Sequence, residues 1–230
     1  MAFLELKGVA FAYRGQQKRA VAGVDLAFEP GGITAIVGPN GSGKTTLTKL
    51  MTGILQPDAG EIFLENRALR SYSLAGIGSR IGYVFQNPEQ QLFCATVAEE
   101  IGFGLRHRGW GPSAVRERTE FYLDYFGLAL YSNVFPLHLS RGEKQRLAIA
   151  AVLAGEPGFL IMDEPTVGLD AYRKRLLADY LRKVACLGRG IVIVSHDAGF
   201  VQQVAGRIVS LENGRMRGER WQRGDSPDAV

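Results

Sequence analysis

Cysteine is nearly missing from this chain: Cys94 and Cys186 are the only two in 230 residues. They lie far apart, with no His or Cys at ligand spacing beside either, so neither a zinc site nor a disulfide framework is expected. Such usage fits reduced thiols in a cytoplasmic compartment. Long apolar runs are missing as well. No stretch reaches the roughly 18 apolar residues of a membrane span. The opening MAFLELKGVAFAY has no basic stretch leading into an apolar segment, so it is not read as a signal peptide. Charge of one sign is scarce: the net charge is +4, too mild to argue for nucleic acid. Basic residues thicken only near the end, at Arg215, Arg217, Arg220 and Arg223. They read as a solvated tail, with a patch for lipid headgroups as the alternative. What is present, 46% apolar and 22% charged residues, belongs to an ordinary globular protein with a sizeable core.

The order of elements is that of an α/β protein. Val9, Phe11 and Tyr13 alternate with alanines, a strand pattern. Ala20 to Phe28 reads as a second strand, and Ile33-Thr34-Ala35-Ile36-Val37 as a short buried one. A helix is predicted from Lys44 to Met51, then strands at Glu61 to Leu64 and Arg80 to Phe85. The middle turns helical: Thr96 to Leu105, Pro112 to Phe126, and a third helix from Ser140. Strands return at Phe159 to Met162, Ile191 to Val194 and Arg207 to Leu211. Between the first two of these, Asp170 caps a helix with Leu176, Leu177, Tyr180, Leu181 and Val184 on one face. A parallel core interrupted by a helical insertion over roughly 88–155 follows.

Chemistry enters at Gly38-Pro39-Asn40-Gly41-Ser42-Gly43-Lys44-Thr45, which fits G-x-x-x-x-G-K-[ST] between a strand and a helix. The glycines let backbone N–H groups point inward at phosphates. Lys44 would reach the β- and γ-phosphates of a nucleotide, Thr45 a Mg²⁺ ion, and Thr46 the α-phosphate. Phe159-Leu160-Ile161-Met162-Asp163-Glu164 stays apolar until two acids end the strand. Asp163 is the expected holder of Mg²⁺. Glu164, at the carboxyl end where open α/β sheets bind ligands, could orient or deprotonate water. A second anion site is written in Leu139-Ser140-Arg141-Gly142-Glu143. Ser140 is a candidate N-cap with Glu143 as its capping-box partner, and a helix start attracts anions.

Together these stretches resemble the ATP-binding cassette (ABC) ATPases across nearly the whole chain. GPNGSGKTT matches the family's phosphate loop, Gln86 its Q-loop, LSRGE its signature and FLIMDE its Walker B strand. Gly168-Leu169-Asp170 matches the D-loop and His196 the switch histidine. Tyr13 stands where the family places an aromatic that stacks on adenine. The resemblance implies an α/β P-loop NTPase fold with a mostly parallel sheet, an N-terminal antiparallel β subdomain and an inserted helical subdomain. It implies one ABC ATPase domain over 1–230, with a core at about 1–87 and 156–230 and the helical part at about 88–155. ATP and Mg²⁺ would be the ligands. Gln86 would touch Mg²⁺ and the attacking water, and His196 the γ-phosphate. Ser140, Arg141, Gly142 and Glu143 would face the ATP of a second copy or a related chain, with Asp170 at the dimer contact. Arg141 and Glu143 depart from the family's usual Gly and Gln. The capping box accounts for Glu143; Arg141 is expected to point aside and leave the site competent. His107 and His138 read as ordinary surface histidines.

VFQNPEQQLFCATVAEEIGFG is similar to the matching region of energy-coupling factor (ECF) transporter ATPases, which serve cobalt, nickel or vitamin uptake. That implies a homodimer or heterodimer bound peripherally at the cytoplasmic face of the membrane. An integral coupling protein and a substrate-binding membrane protein would be its partners, with no nucleic acid and no direct contact with the transported solute. Gln90, Gln91, Leu92 and Phe93 would form the docking surface, with Leu92 and Phe93 exposed. The alternatives are an ATPase of another importer or exporter class, or a non-transport ABC ATPase. Only about a hundred residues separate loop from signature, without sustained heptads, and this argues against the latter.

Overall fold

The computed structural model describes residues 2–222, which form two sheets, seven α-helices and four short 3-10 turns. The first sheet has the order β2-β1-β4-β5, from β1 (Leu4–Phe11), β2 (Val21–Phe28), β4 (Ala59–Leu64) and β5 (Arg67–Ala68), with antiparallel neighbours. The second has the order β10-β9-β3-β8-β7-β6. Its members are β3 (Ile33–Val37), β6 (Ile81–Val84), β7 (Phe159–Asp163), β8 (Gly190–Val194), β9 (Arg207–Glu212) and β10 (Arg215–Trp221). All its pairs are parallel except β9 with β10.

The strand period of two sets the layers. On β7, Phe159 and Ile161 face a core shared with β1, β2 and helix α1 (Lys44–Met51). Leu160 and Met162 face the other way. They pack into the core of α3 (Val97–His107), α4 (Pro112–Tyr125), α5 (Arg141–Ala154) and α6 (Ala171–Cys186). Every residue of β7 and β8 is buried, which is why both read as unbroken apolar runs. Each fully buried Leu or Ile here contributes on the order of 2 kcal/mol by leaving water. α2 (Leu74–Gly78) and α7 (Ala198–Val204) complete the helices.

The expected element order is present, with three differences. β1 starts at Leu4 and ends before Tyr13; its register shifts between Leu6 and Val9, and Gly8 has φ +58 there. That irregularity resets the alternation, so a single period-two pattern misplaces the strand. α2, β5 and α7 are short and carry little periodicity. The basic stretch is not a solvated tail: 215–221 is β10, with Arg217 Nε 2.9 Å from Glu212 and Arg207 Nε on β9 2.9 Å from Glu219. Arg223 lies outside the described residues. Asn213 and Gly214, with φ +51 and +75, form the tight turn into β10.

Candidate functional site

The phosphate loop joins β3 to α1. Gly43 sits at the N-cap of α1 with φ +102, and a Cβ there would stand 2.1 Å from the carbonyl oxygen of Ala20. Only glycine fits, and it offers no side chain to the first-turn N–H groups, which stay open to an anion. The β9–β10 turn braces the loop from behind, the N–H of Gly214 donating to Ser42 O at 2.9 Å. Ser42 Oγ is buried with no hydrogen-bond partner. Lys44 folds over the loop, its Nζ donating to the carbonyls of Gly38 at 2.8 Å and Pro39 at 2.9 Å. Burial pulls its pKa down, against the attraction of Glu164 and Asp163. A polyphosphate in the loop would relieve that burial cost.

Tyr13, Asn40, Gly41, Gly43, Lys44, Thr45, Thr46, Gln86, Asp163, Glu164 and His196 all line one cavity of about 510 Å³. Asp163 and Glu164 stand at the carboxyl end of β7, His196 two residues past β8. Asp163 is 1% exposed and neither carboxylate oxygen closes a hydrogen bond. Burial pushes its pKa up, while the neighbouring Thr45 hydroxyl opposes that shift. A buried carboxylate without a partner, beside a hydroxyl, fits a divalent cation. Thr45, Asp163 and Gln86 are the residues that could hold Mg²⁺. Glu164 has φ +52 and is pinned by its own N–H to Val194 O at 2.8 Å. Its Oε2 accepts the N–H of His196 at 3.2 Å. Tyr13 meets Phe11 edge-on at 5.0 Å, and its hydroxyl lies 3.2 Å from Thr46 Oγ1.

None of Ser140, Arg141, Gly142, Glu143 and Asp170 lines this cavity. The capping box predicted for the signature is present: Glu143 Oε2 accepts from Ser140 N–H at 2.8 Å and from Ser140 Oγ at 2.6 Å. Arg141 is exposed and has no partner among the described residues. Gly142 meets the D-loop, since a Cβ on it would lie 2.5 Å from Gly168 O. Asp170 caps α6, its Oδ1 accepting Arg173 N–H at 2.7 Å. His107 stacks on Phe103 at 6.0 Å and His138 lies edge-on to Phe135 at 5.3 Å.

The run after Gln86 is corrected in part. Phe93 is 64% exposed, but Leu92 is 5% exposed and belongs to the helical core. Gln91 also turns inward: its Oε1 accepts Phe85 N–H at 2.9 Å and its Nε2 donates to Ala148 O at 3.4 Å. Glu89 pairs with Lys144 Nζ at 2.6 Å, a second tie from the Q-loop to α5. Both residues of the Leu92-Phe93 pair are apolar, and composition alone cannot tell which faces the core. The cavity is also lined by Gln16, Lys18, Arg19 and Asn213, none of them expected. The Asn-Gly dipeptide was the available signal, because it marks a two-residue hairpin that folds 213 back.

Comparison with known proteins agrees with this geometry. The profile of a family described as ABC transporter matches residues 21–167. A Pyrococcus furiosus protein, provisionally named an ABC transporter ATP-binding protein, is 40% identical over 214 residues, 93% of this chain and 82% of its own. The energy-coupling factor transporter ATP-binding protein EcfA of Methanothermobacter thermautotrophicus is 37% identical over 219 residues, 94% of this chain and 70% of its own. Among solved structures, an ATP-binding cassette seen as a post-hydrolysis dimer with ADP and Pi is 28% identical, with a TM-score of 0.88 over 96% of this chain and 99% of that one. CbiO1 of Clostridium perfringens, described as part of the cbiONQ transporter complex, is 32% identical, with a TM-score of 0.80 over 95% of this chain and 88% of that one.

Proposed function

Because this chain belongs to the ABC transporter family and is an ATPase of that family, we propose that it powers an importer of the energy-coupling factor type, working as a nucleotide-sandwich dimer. One observation carries the catalytic part: the unpartnered carboxylate of Asp163 and the anchored Glu164 face the phosphate loop across one cavity. Tyr13 stacks on adenine. The loop from Gly38 to Gly43 wraps the phosphates, Lys44 takes the β- and γ-phosphates, and Thr46 takes the α-phosphate. Thr45, Asp163 and Gln86 hold Mg²⁺, which when bound supplies positive charge to the phosphate oxygens. Glu164 orients the attacking water and accepts its proton, and His196 steadies the γ-phosphate.

The signature lies outside the cavity of its own chain. Ser140, the amide of Gly142 and the start of α5 therefore complete the site of a partner, either a second copy or a related ATPase. Bound ATP joins the two, and its hydrolysis releases them. The helix start supplies the charge stabilisation that an arginine finger gives other NTPases.

No helix among the described residues is long and apolar enough to cross a membrane. The subunit sits peripherally, at the cytoplasmic face, under an integral coupling protein that works with a substrate-binding membrane protein. It does not touch the solute. The importer class rests on VFQNPEQQLF and on the likeness to EcfA and CbiO1. Exposed Phe93, edge-on to Phe103 at 4.8 Å, offers the coupling protein an aromatic contact.

The test is Glu164→Gln loaded with Mg–ATP and weighed by light scattering. A stable dimer is expected. A strict monomer at high concentration, even with the membrane companion supplied, would overturn the sandwich. Co-purification with a two-subunit permease instead of a single coupling protein would overturn the importer class.

A further inference from the structure

We infer that Lys174, which lies outside the nucleotide cavity, is a positioning residue for hydrolysis: through its ion pair with Asp197 it holds His196 in register with Glu164 and with the D-loop. The inference rests on the reading of His196 as the group that steadies the γ-phosphate.

The segments that follow β7 and β8 are laced together rung by rung. The N–H of Glu164 donates to Val194 O at 2.8 Å, and the N–H of His196 to Glu164 Oε2 at 3.2 Å. Further out, the buried hydroxyls of Thr166 and Ser195 lie 3.5 Å apart. The outermost rung joins α6 to the start of α7: Lys174 Nζ donates to Asp197 Oδ2 at 2.6 Å. The last two rungs bracket two features. His196 stands between Ser195 and Asp197 on one side, and Gly168-Leu169-Asp170 stand between Thr166 and Lys174 on the other. Lys174 is one helical turn past Asp170, its N–H donating to Asp170 O at 2.9 Å. A shift of the D-loop therefore reaches both sequence neighbours of His196.

His196 needs such support. Its side chain is 49% exposed, and among the described residues its ring meets only Glu164, at 3.3 Å from Nε2. A ring held at one atom takes its place from its backbone, and that backbone is fixed by Asp197. Asp197 divides its work between two oxygens. Oδ1 accepts the N–H of Phe200 at 3.0 Å and caps α7, while Oδ2 meets Lys174. Its own N–H donates to Ser195 Oγ at 3.1 Å. Lys174 first, then the Phe200 N–H, holds the Asp197 carboxyl below its ordinary range, so the rung is a charge-assisted bond at neutral pH.

Two variants separate the ion pair from the cap. Lys174→Met removes the ammonium; Asp197→Asn keeps an oxygen for the cap and loses the charge that Lys174 meets. With Mg–ATP each should lower kcat about tenfold at a KM within twofold of wild type, the order expected when a group at the reacting phosphate is slightly displaced. The double variant should fall no further than either single one. Lys174→Arg should recover kcat to within threefold of wild type. In a His196→Ala background, Lys174→Met should cost nothing more. Carbon–proton NMR of the histidine rings reads the same link without turnover, since the chain has only three histidines. The His196 signal should shift in both variants, with those of His107 and His138 unmoved. An unmoved His196 signal, an unchanged kcat in Lys174→Met, or an equal loss in the His196→Ala background would each overturn the inference. If His196→Ala itself turns over normally, the reading of His196 fails instead, and the NMR signal alone then decides the inference.

Discussion

Glu164 and His196 meet twice: one carboxylate oxygen accepts the His196 backbone N–H at 3.2 Å, and the other lies 3.3 Å from the ring Nε2. Glu164 occupies the left-handed region at φ +52, costly for a non-glycine residue and kept only because its N–H is tied to β8. Backbone strain therefore aims the carboxylate into the cavity. Glu164→Gln keeps the shape and one acceptor oxygen but cannot take a proton. Phosphate release should fall at least a hundredfold while ATP binding persists. Unchanged turnover would exclude Glu164 as the base.

Gly142 and Gly168 set the spacing between signature and D-loop. Gly142→Ala would place a methyl 2.5 Å from Gly168 O, a contact that only a backbone shift can relieve. Both segments belong to the proposed dimer face, while the cavity is lined by neither. ATPase activity should drop more than tenfold, with nucleotide affinity of the isolated subunit nearly intact. Equilibrium binding of a fluorescent nucleotide beside turnover separates the two effects.

Much of this was legible in the sequence because local chemistry and tertiary placement agree. The phosphate loop, the apolar run ending in Asp163-Glu164 and the Ser140–Glu143 box each need only a few consecutive residues, and all three stand as predicted. What was hidden depends on facing. Leu92 and Phe93 are adjacent and equally apolar, yet only the tertiary fold buries the first and exposes the second. Met216 packs against the strand core while the arginines around it stay outside, so a charged edge strand resembled a tail. The hairpin carrying Asn213 could have been read from Asn-Gly, but its return to a loop near residue 18 could not.

The box at the start of α5 gives a pH signature. The Ser140 hydroxyl first, then its N–H and the Tyr131 hydroxyl, hold the Glu143 carboxyl below its ordinary value of 4.5. A lowered native pKa means that this group's stabilisation is present above the unfolded pKa and is lost as pH falls through the native one. Glu143→Ala should cost about 1 kcal/mol at pH 7, the usual worth of a helix cap. The gap between wild type and variant should close as pH drops below 4.5. Urea midpoints across pH 3 to 7 measure it, and a gap independent of pH would contradict the carboxylate's role.

Phe93 and Leu92 make a paired test of the docking face. A buried carboxylate, Glu100, holds the turn: its Oε2 accepts the N–H of Phe93 at 2.9 Å and of Cys94 at 2.8 Å. The turn's shape thus owes nothing to the Phe93 ring, which leans on exposed Phe103. Phe93→Asp should shift stability by no more than about 0.5 kcal/mol and leave the isolated subunit's ATPase within about twofold. Solute uptake by the assembled transporter should fall more than tenfold, since a charge in an aromatic contact must be desolvated. Leu92→Asp buries a charge in the helical core and should unfold the subunit outright, by several kcal/mol. Equal loss of ATPase and uptake in Phe93→Asp would place that ring in the catalytic frame and remove it from the membrane partner's contact.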